Sequence, residues 1–342
     1  MKHVKVAVVI LNWNGVSFLE QFLPNILHYT GSDAEVIVAD NGSVDNSVEF
    51  IRKNFPQISL IQNDKNLGYA EGYNVALSQI DADYYVLLNS DVEVTENWIK
   101  PIIRLMEEDC SIAACQPKLL SFYNRDEFEY AGAAGGFIDK LGYPFCRGRL
   151  FSTLEEDKGQ FDDVEEIFWA SGACMFVRAS AYWEVGGLDK DFFAHMEEID
   201  FCWRLKNLGY RIMYCSGATI FHVGGGTLPK NAPKKTYLNM RNNLIMLYKN
   251  LPDHELYRVF FKRFFLDGIA AVRFMFGEGG FKSFWAVIKA HLNFRKEKKH
   301  TLKKRRRIKQ TYVSYIYKGN IVSDYYLFGK KSFNQLPKKK FS

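Results

Sequence analysis

Five short apolar runs rich in Val, Ile, Leu and Ala occupy residues 5–12, 35–39, 58–61, 84–88 and 112–115. Between them, residues 17–30, 45–54, 69–79 and 97–108 carry apolar positions at helical spacing. Ser43 or Asp45 is placed to cap the second of these helices. Uninterrupted apolar strands alternating with helices predict a mostly parallel sheet with helices on both faces. In such sheets ligands gather beyond the carboxyl ends of the strands.

Those ends are polar. The first run closes in Asn12-Trp13-Asn14-Gly15 and the second in Asp40-Asn41-Gly42-Ser43. The third is followed by Asn63-Asp64-Lys65-Asn66-Leu67-Gly68, with Gly72 and Asn74 further on, and the fourth ends in Asn89-Ser90-Asp91. Turn chemistry accounts for any one such cluster. Four in succession, each closing an apolar run, exceed what turns require. A carboxylate at that edge suits a divalent cation, and the cation a diphosphate. No GxGxxG follows the first strand and no Walker A sequence occurs, which argues against dinucleotide-binding and P-loop chemistry.

Composition adds a division. At 342 residues the chain has room for one large α/β domain with an appendage, or for two domains. The net charge of +6 splits into 18 Lys/Arg against 33 Asp/Glu over residues 1–228 and 27 against 6 over 229–342, that is −15 and +21. An acidic body holding a cation and a basic tail meeting an anionic surface fit that balance. Neither a signal peptide nor an apolar segment long enough to span a membrane is expected. Six cysteines without a CxxC pair suit reduced, mostly buried thiols of a cytoplasmic protein.

The second half supplies more candidate chemistry. After a Gly-rich aromatic stretch, residues 168–178 form a strand with a small-residue turn. Glu197, Glu198 and Asp200 then fall at the start of a helix ending near Leu208. The helix dipole explains one acid there; three, behind an aromatic run, are candidates for a general base. His222 ends the apolar run 218–221 and precedes Val223-Gly224-Gly225-Gly226-Thr227, glycines that let a phosphate approach the backbone. A lone histidine is more often a satisfied core residue than a ligand. Arg241-Asn242-Asn243 lies on a helix over 234–250, either to meet an anion or as a solvated face.

Taken in order, Asn12-Trp13-Asn14-Gly15, Asp40-Asn41-Gly42-Ser43, Asn66-Leu67-Gly68 with Gly72 and Asn74, and Asn89-Ser90-Asp91 resemble the family 2 glycosyltransferases. These are inverting enzymes of the GT-A fold, and the resemblance is to the bacterial surface-polysaccharide branch with rhamnosyltransferase-like members. It implies that Asp40 contacts the base or ribose of the donor nucleotide. Asn66 and Gly68 would line its pocket, with Asn12, Asn14, Asn74, Ser90 and Arg241 among the donor contacts. Asp91 would bind a divalent cation, Mn²⁺ or Mg²⁺, with His222 completing the shell. The family's Asp-x-Asp has Asn89 in its first position here, so Asn89 is assigned to the pocket lining. In the Glu-Asp-x-Asp element the usual base position is held by Glu198, with Glu197 as the next candidate.

The tail is basic and aromatic. Residues 256–276 predict an amphipathic basic helix with Phe260, Phe264, Phe274 and Met275 off the charged side, 282–294 are mixed, and 295–309 are mostly Lys and Arg. This suits an anionic membrane surface; a helical cap on the catalytic domain and a solvated end are the alternatives. The Phe content exceeds what a nucleic acid needs, so no nucleic acid is expected. The expected organisation is a nucleotide-sugar-binding catalytic domain over 1–250 and a basic helical extension over 251–342, peripheral on the inner face of the cell membrane. The expected activity is metal-dependent, inverting transfer from a nucleotide-diphosphate sugar to a hydroxyl of a polysaccharide or lipid-linked glycan. A sugar nucleotidyltransferase would carry a Gly-rich basic loop where Asn12-Trp13-Asn14-Gly15 stands. A non-catalytic membrane- or nucleic-acid-binding protein on a degenerate transferase domain is the other alternative.

Overall fold

The structure, a computed structural model, describes residues 2–224, 232–277 and 280–341. The first third is the expected alternation: β1 (Val4–Asn12), α1 (Val16–Thr30), β2 (Glu35–Asp40), α2 (Ser47–Asn54), β3 (Ser59–Gln62), α3 (Gly68–Leu77) and β4 (Ala82–Asn89). After a short β5 (Val92–Val94) come α4 (Lys100–Glu108) and β6 (Ile112–Ser121), which runs six residues past the apolar run that predicts it. Strands β3, β2, β1 and β4 pair parallel and in register, with Asn12 opposite Asp40 and Leu11 opposite Asn89. Their polar ends therefore share one edge. Asp45 lies just before α2 and binds the Ser47 N–H, but its other oxygen accepts the Val16 N–H at 3.1 Å, so it also caps α1. Ser43 turns instead to the Asn14 N–H, 2.8 Å away.

A small sheet follows: β7 (Gly136–Asp139), β8 (Pro144–Cys146), β9 (Arg149–Leu150) and β10 (Thr153–Leu154). The chain then returns to the large sheet through β11 (Val164–Ile167) and β12 (Cys174–Arg178). The sheet is mixed, because β12 enters antiparallel between β4 and β6. Its entry brings the turn at Ser171–Gly172 to the functional edge, where the Asn89 N–H donates to Ala173 O at 3.0 Å. Then come α5 (Ala179–Glu184), α6 (Glu197–Asn207) and the long β13 (Arg211–His222), parallel to β6. Apolar cores fill both faces of the sheet.

The last part is helical: α7 (Pro233–Asn250), α8 (Asp253–Met275) and α9 (Gly280–Arg305). Beyond them, β14 (Ile316–Tyr317) pairs parallel with β7, and α10 (Ile321–Tyr326) follows. Part of the basic charge is used internally. Lys249 bridges Asp189 and Asp200, Lys304 bridges Asp189 and Asp191, and Arg305 pairs with Asp253.

Candidate active site

At the strand edge Asp40 is buried and accepts Asn12 Nδ2 at 3.1 Å and the Ser43 N–H at 2.9 Å. Asn12 Oδ1 finds no partner among the described residues. Asn66 Oδ1 accepts the Gly68 N–H at 2.8 Å and Asn41 Nδ2 at 3.2 Å. Gly68 has φ +78°, and a Cβ on it would stand 2.5 Å from Phe193 O, so both conformation and space call for glycine. Ser90 lies across from Gly15, its Oγ 3.5 Å from where a Cβ there would sit.

Opposite, the ends of β4 and β13 meet. His222 Nε2 lies 3.1 Å from Asp91 Oδ1 and 3.3 Å from Asn89 Nδ2. On the far side of the ring Nδ1 lies 3.3 Å from Glu129 Oε1, off the N–H axis. All but Asn89 are buried. Burial would lower His222, but Asp91 and Glu129 together lift it to about 10. Burial would raise Asp91, yet the adjacent imidazolium holds it below the usual carboxylate range. Among the described residues there is no cluster of three or more His, Cys, Asp or Glu suited to an ion. Two protein donors, with diphosphate oxygens filling further positions, nevertheless suit a Mn²⁺- or Mg²⁺-type shell. The Asn89 amide, turned over, adds a carbonyl oxygen. Gly225, Gly226 and Thr227 lie outside the described residues.

The acid pair is presented by a strained turn. Phe193, His195 and Met196 all have φ between +64° and +73°, immediately before α6. Asn242 on α7 holds this turn by donating to the carbonyls of Phe192, Ala194 and His195 at 3.0, 2.9 and 2.7 Å. One oxygen each of Glu197 and Glu198, and His195 Nε2, find no partner among the described residues. Burial lifts Glu198 to about 7. Burial, then the charge of Glu198, push Glu197 well above the usual carboxylate range. Burial, then the charge of Lys235, lower His195 to about 4. Asp200 is taken up wholly by Arg204, Lys249 and Asn250.

The Tyr69 hydroxyl donates to Gly172 O at 2.6 Å, one residue from Ala173 and so from Asn89. Three of the expected donor contacts also make bonds within the protein. Asn74 is tied to Leu188 N and O and the Tyr182 hydroxyl. Arg241 donates to the carbonyls of Asp191 and Phe192 and to Asn242, and its Nη1 lies 3.9 Å from the Glu297 carboxylate. Asn14 accepts the Val44 N–H and joins two loops. Sequence reasoning passed over Glu129, Tyr69 and Asn242. Glu129 lies in irregular chain with no periodic signal, and Asn242 stood in view beside Arg241.

A family model described as Glycosyl transferase family 2 matches residues 7–186. The chain belongs to that family. This family 2 glycosyltransferase is 27% identical over 230 residues to the N-acetylglucosaminyl-diphospho-decaprenol L-rhamnosyltransferase of Mycobacterium tuberculosis, covering 63% of this chain and 75% of the relative. It is 23% identical over 247 residues to the low-salt glycan biosynthesis hexosyltransferase Agl10 of Haloferax volcanii, covering 70% and 74%. Among solved structures the glycosyltransferase resembles GalNAc-T7 with UDP, GalNAc and Mn²⁺, at TM-score 0.60 and 14% identity, over 85% of this chain and 54% of that one. The chain thus spans about half of GalNAc-T7. It also resembles S. aureus TarS 1-349 in complex with UDP, at TM-score 0.51 and 15% identity, over 77% and 72%. These likenesses place the glycosyltransferase in the GT-A fold.

Proposed function

We propose that this glycosyltransferase moves a sugar from a nucleoside diphosphate sugar to a hydroxyl of a lipid-linked or surface-polysaccharide glycan, with inversion and with a divalent cation. The observation that carries the reading is the meeting of Asp91 and His222, 3.1 Å apart, on the strand edge that also carries Asn12, Asp40 and Asn89. By name the mycobacterial relative acts on a decaprenol-linked substrate, and two structural neighbours were captured with UDP.

Asp40 and Asn12 would receive the nucleoside, with Asn66 and Gly68 as the wall. Asp91 and His222 would hold the cation, and Glu129 would back the imidazole. A cation bound there supplies positive charge to the departing diphosphate. Glu198, near 7, is basic enough to take a hydroxyl proton and ionised enough to be free for it. Its unpartnered oxygen takes the proton as the acceptor oxygen bonds to the anomeric carbon. The bond from that carbon to the diphosphate oxygen breaks on the opposite face, and its electron pair leaves with the nucleotide.

The residues that bind donor and carry the chemistry are assigned to 1–250, whose small sheet β14 completes, and a surface for a membrane to the extension over 251–342, working at the cytoplasmic face. Turnover of a panel of nucleoside diphosphate sugars, with a polyprenyl-diphosphate glycan acceptor and with or without Mn²⁺, tests the reading. Cation-dependent transfer from one donor, lost in Glu198→Gln with donor binding kept, supports it; no turnover of any donor overturns it.

A further inference from the structure

Helix α8 is folded inside out. Its buried positions are Val259, Arg263, Asp267 and Ala271. Arg263 donates to Leu141 O, to Asn243 and to Asp267, and the Tyr143 hydroxyl and His291 complete the Asp267 carboxylate. The outward side carries Tyr257, Phe261, Phe265, Ile269, Val272 and Phe276, all exposed, from 48% at Val272 to 82% at Tyr257. A helix on a water-facing surface normally shows the reverse arrangement.

The apolar surface continues beyond α8. Phe281, Trp285 and Leu292 form a second exposed stripe on α9. At the end of α8 the Arg273 guanidinium lies 4.7 Å from the Tyr326 ring, and beside Tyr326 stand Leu327 and Phe328, 76% and 71% exposed. Single exposed apolar residues are ordinary; a patch this extended marks an interaction surface.

Its frame is cationic. Arg258, Lys262 and Arg273 on α8, and Lys282, Lys289 and Arg295 on α9, are exposed. Asp267, the one acid between residues 256 and 277, is buried. Aromatic and aliphatic side chains ringed by Lys and Arg complement a layer that is anionic at its surface and apolar a few ångströms beneath. A polyanion would engage the cations and gain nothing from Ile269, Val272 or Leu327. Among the described residues no helix is long and apolar enough to cross a membrane, so such a face would lie in the interface.

We infer that the outer face of α8, with the α9 stripe and Leu327–Phe328, docks into the headgroup region of an anionic phospholipid bilayer. The inference deepens the membrane part of the proposed function. It also moves the contact away from the end of the 295–309 run, where Lys304 and Arg305 are engaged with the protein's own acids.

Sedimentation of the full chain with vesicles tests it, using phosphatidylcholine alone or with about one third phosphatidylglycerol. The parent is expected to partition onto the anionic vesicles about tenfold or more above the neutral ones. The triple variant Phe261→Ser/Phe265→Ser/Ile269→Ser should partition about a hundredfold less, and Leu327→Ser/Phe328→Ser about tenfold less. Donor hydrolysis without lipid should stay at the parent level in both variants, which reports that they are folded. Equal pelleting of parent and triple variant overturns the inference. So does a parent that ignores vesicles, sediments as a dimer and becomes monomeric on triple substitution, which assigns the face to a second copy. Donor hydrolysis missing from the parent overturns the transferase reading separately and leaves the vesicle result to decide this one.

Discussion

Glu129 stands behind His222, its Oε1 3.3 Å from Nδ1, while the other ring nitrogen faces Asp91. Histidines that bind metals usually give their second N–H to such a carboxylate, and losing it weakens metal affinity about 10–100-fold. Glu129→Gln is therefore expected to weaken Mn²⁺ binding by about tenfold, and Asp91→Asn by more. Calorimetry or electron paramagnetic resonance on the protein without donor measures this. Parent affinity in Glu129→Gln would remove the backing role, and parent affinity in Asp91→Asn would remove the site.

Glu198 should set the pH profile. With its folded value near 7, the transfer rate is expected to climb as pH rises through 7 and then level off. The same group costs stability where it ionises, because the unfolded chain releases that proton near 4.5 and the folded one near 7. The cost is absent below 4.5 and complete above 7. Glu198→Gln should accordingly melt higher than the parent at pH 8, by about 1–2 kcal/mol, and show no gain at pH 4. A rate flat between pH 6 and 8 would take the base role from Glu198.

His195 works with the opposite sign. Its unfolded value is 6.5 and burial brings the folded one to about 4, so the folded state resists the proton. Its contribution is intact above 6.5 and falls away as pH drops toward 4, by about 2–3 kcal/mol. Denaturant titrations of the parent and His195→Gln between pH 7 and pH 4 compare the two slopes. The variant should lose less stability on acidification; identical slopes would show that His195 does not titrate in that window.

Asn242 holds three carbonyls of the turn that presents the acids. Asn242→Ala should lower kcat by about 10–100-fold, because small misplacements of a base are costly. Loss of these bonds should also destabilise the fold by about 1–3 kcal/mol. Donor affinity should fall less than kcat, since Asp40 and Asn66 belong to other loops and only Gly68 of the donor wall packs on this turn. A variant weakened only in donor binding would place Asn242 in a different role.

Much of the site was legible because each parallel strand is an apolar run that stops at a polar residue. Asn12, Asp40 and Asn89 close such runs, and the register of β1 with β2 and β4 places them side by side. What stayed hidden depends on partners distant along the chain. Asn74 looked like a donor contact, but its amide is satisfied by Leu188, 114 residues away. Arg241 looked free for an anion until α7 was laid against the Asp191–Phe192 carbonyls. The antiparallel entry of β12 between β4 and β6 leaves no trace in an apolar run. Periodicity in 256–276 showed a two-sided helix but not which side turns inward: Phe260, Phe274 and Met275 are partly covered, while Phe264 is exposed.

The pairing of β14 with β7 has a consequence for synthesis. Buried Asp139 accepts the N–H of Ile321, which leaves the ribosome 182 residues later. Until then β7 has an open edge, a ready template for the wrong strand. A nascent chain of this enzyme is thus expected to leave β7 unpaired on that side until residues 316–321 emerge, and a stop near residue 310 to leave the edge open for good.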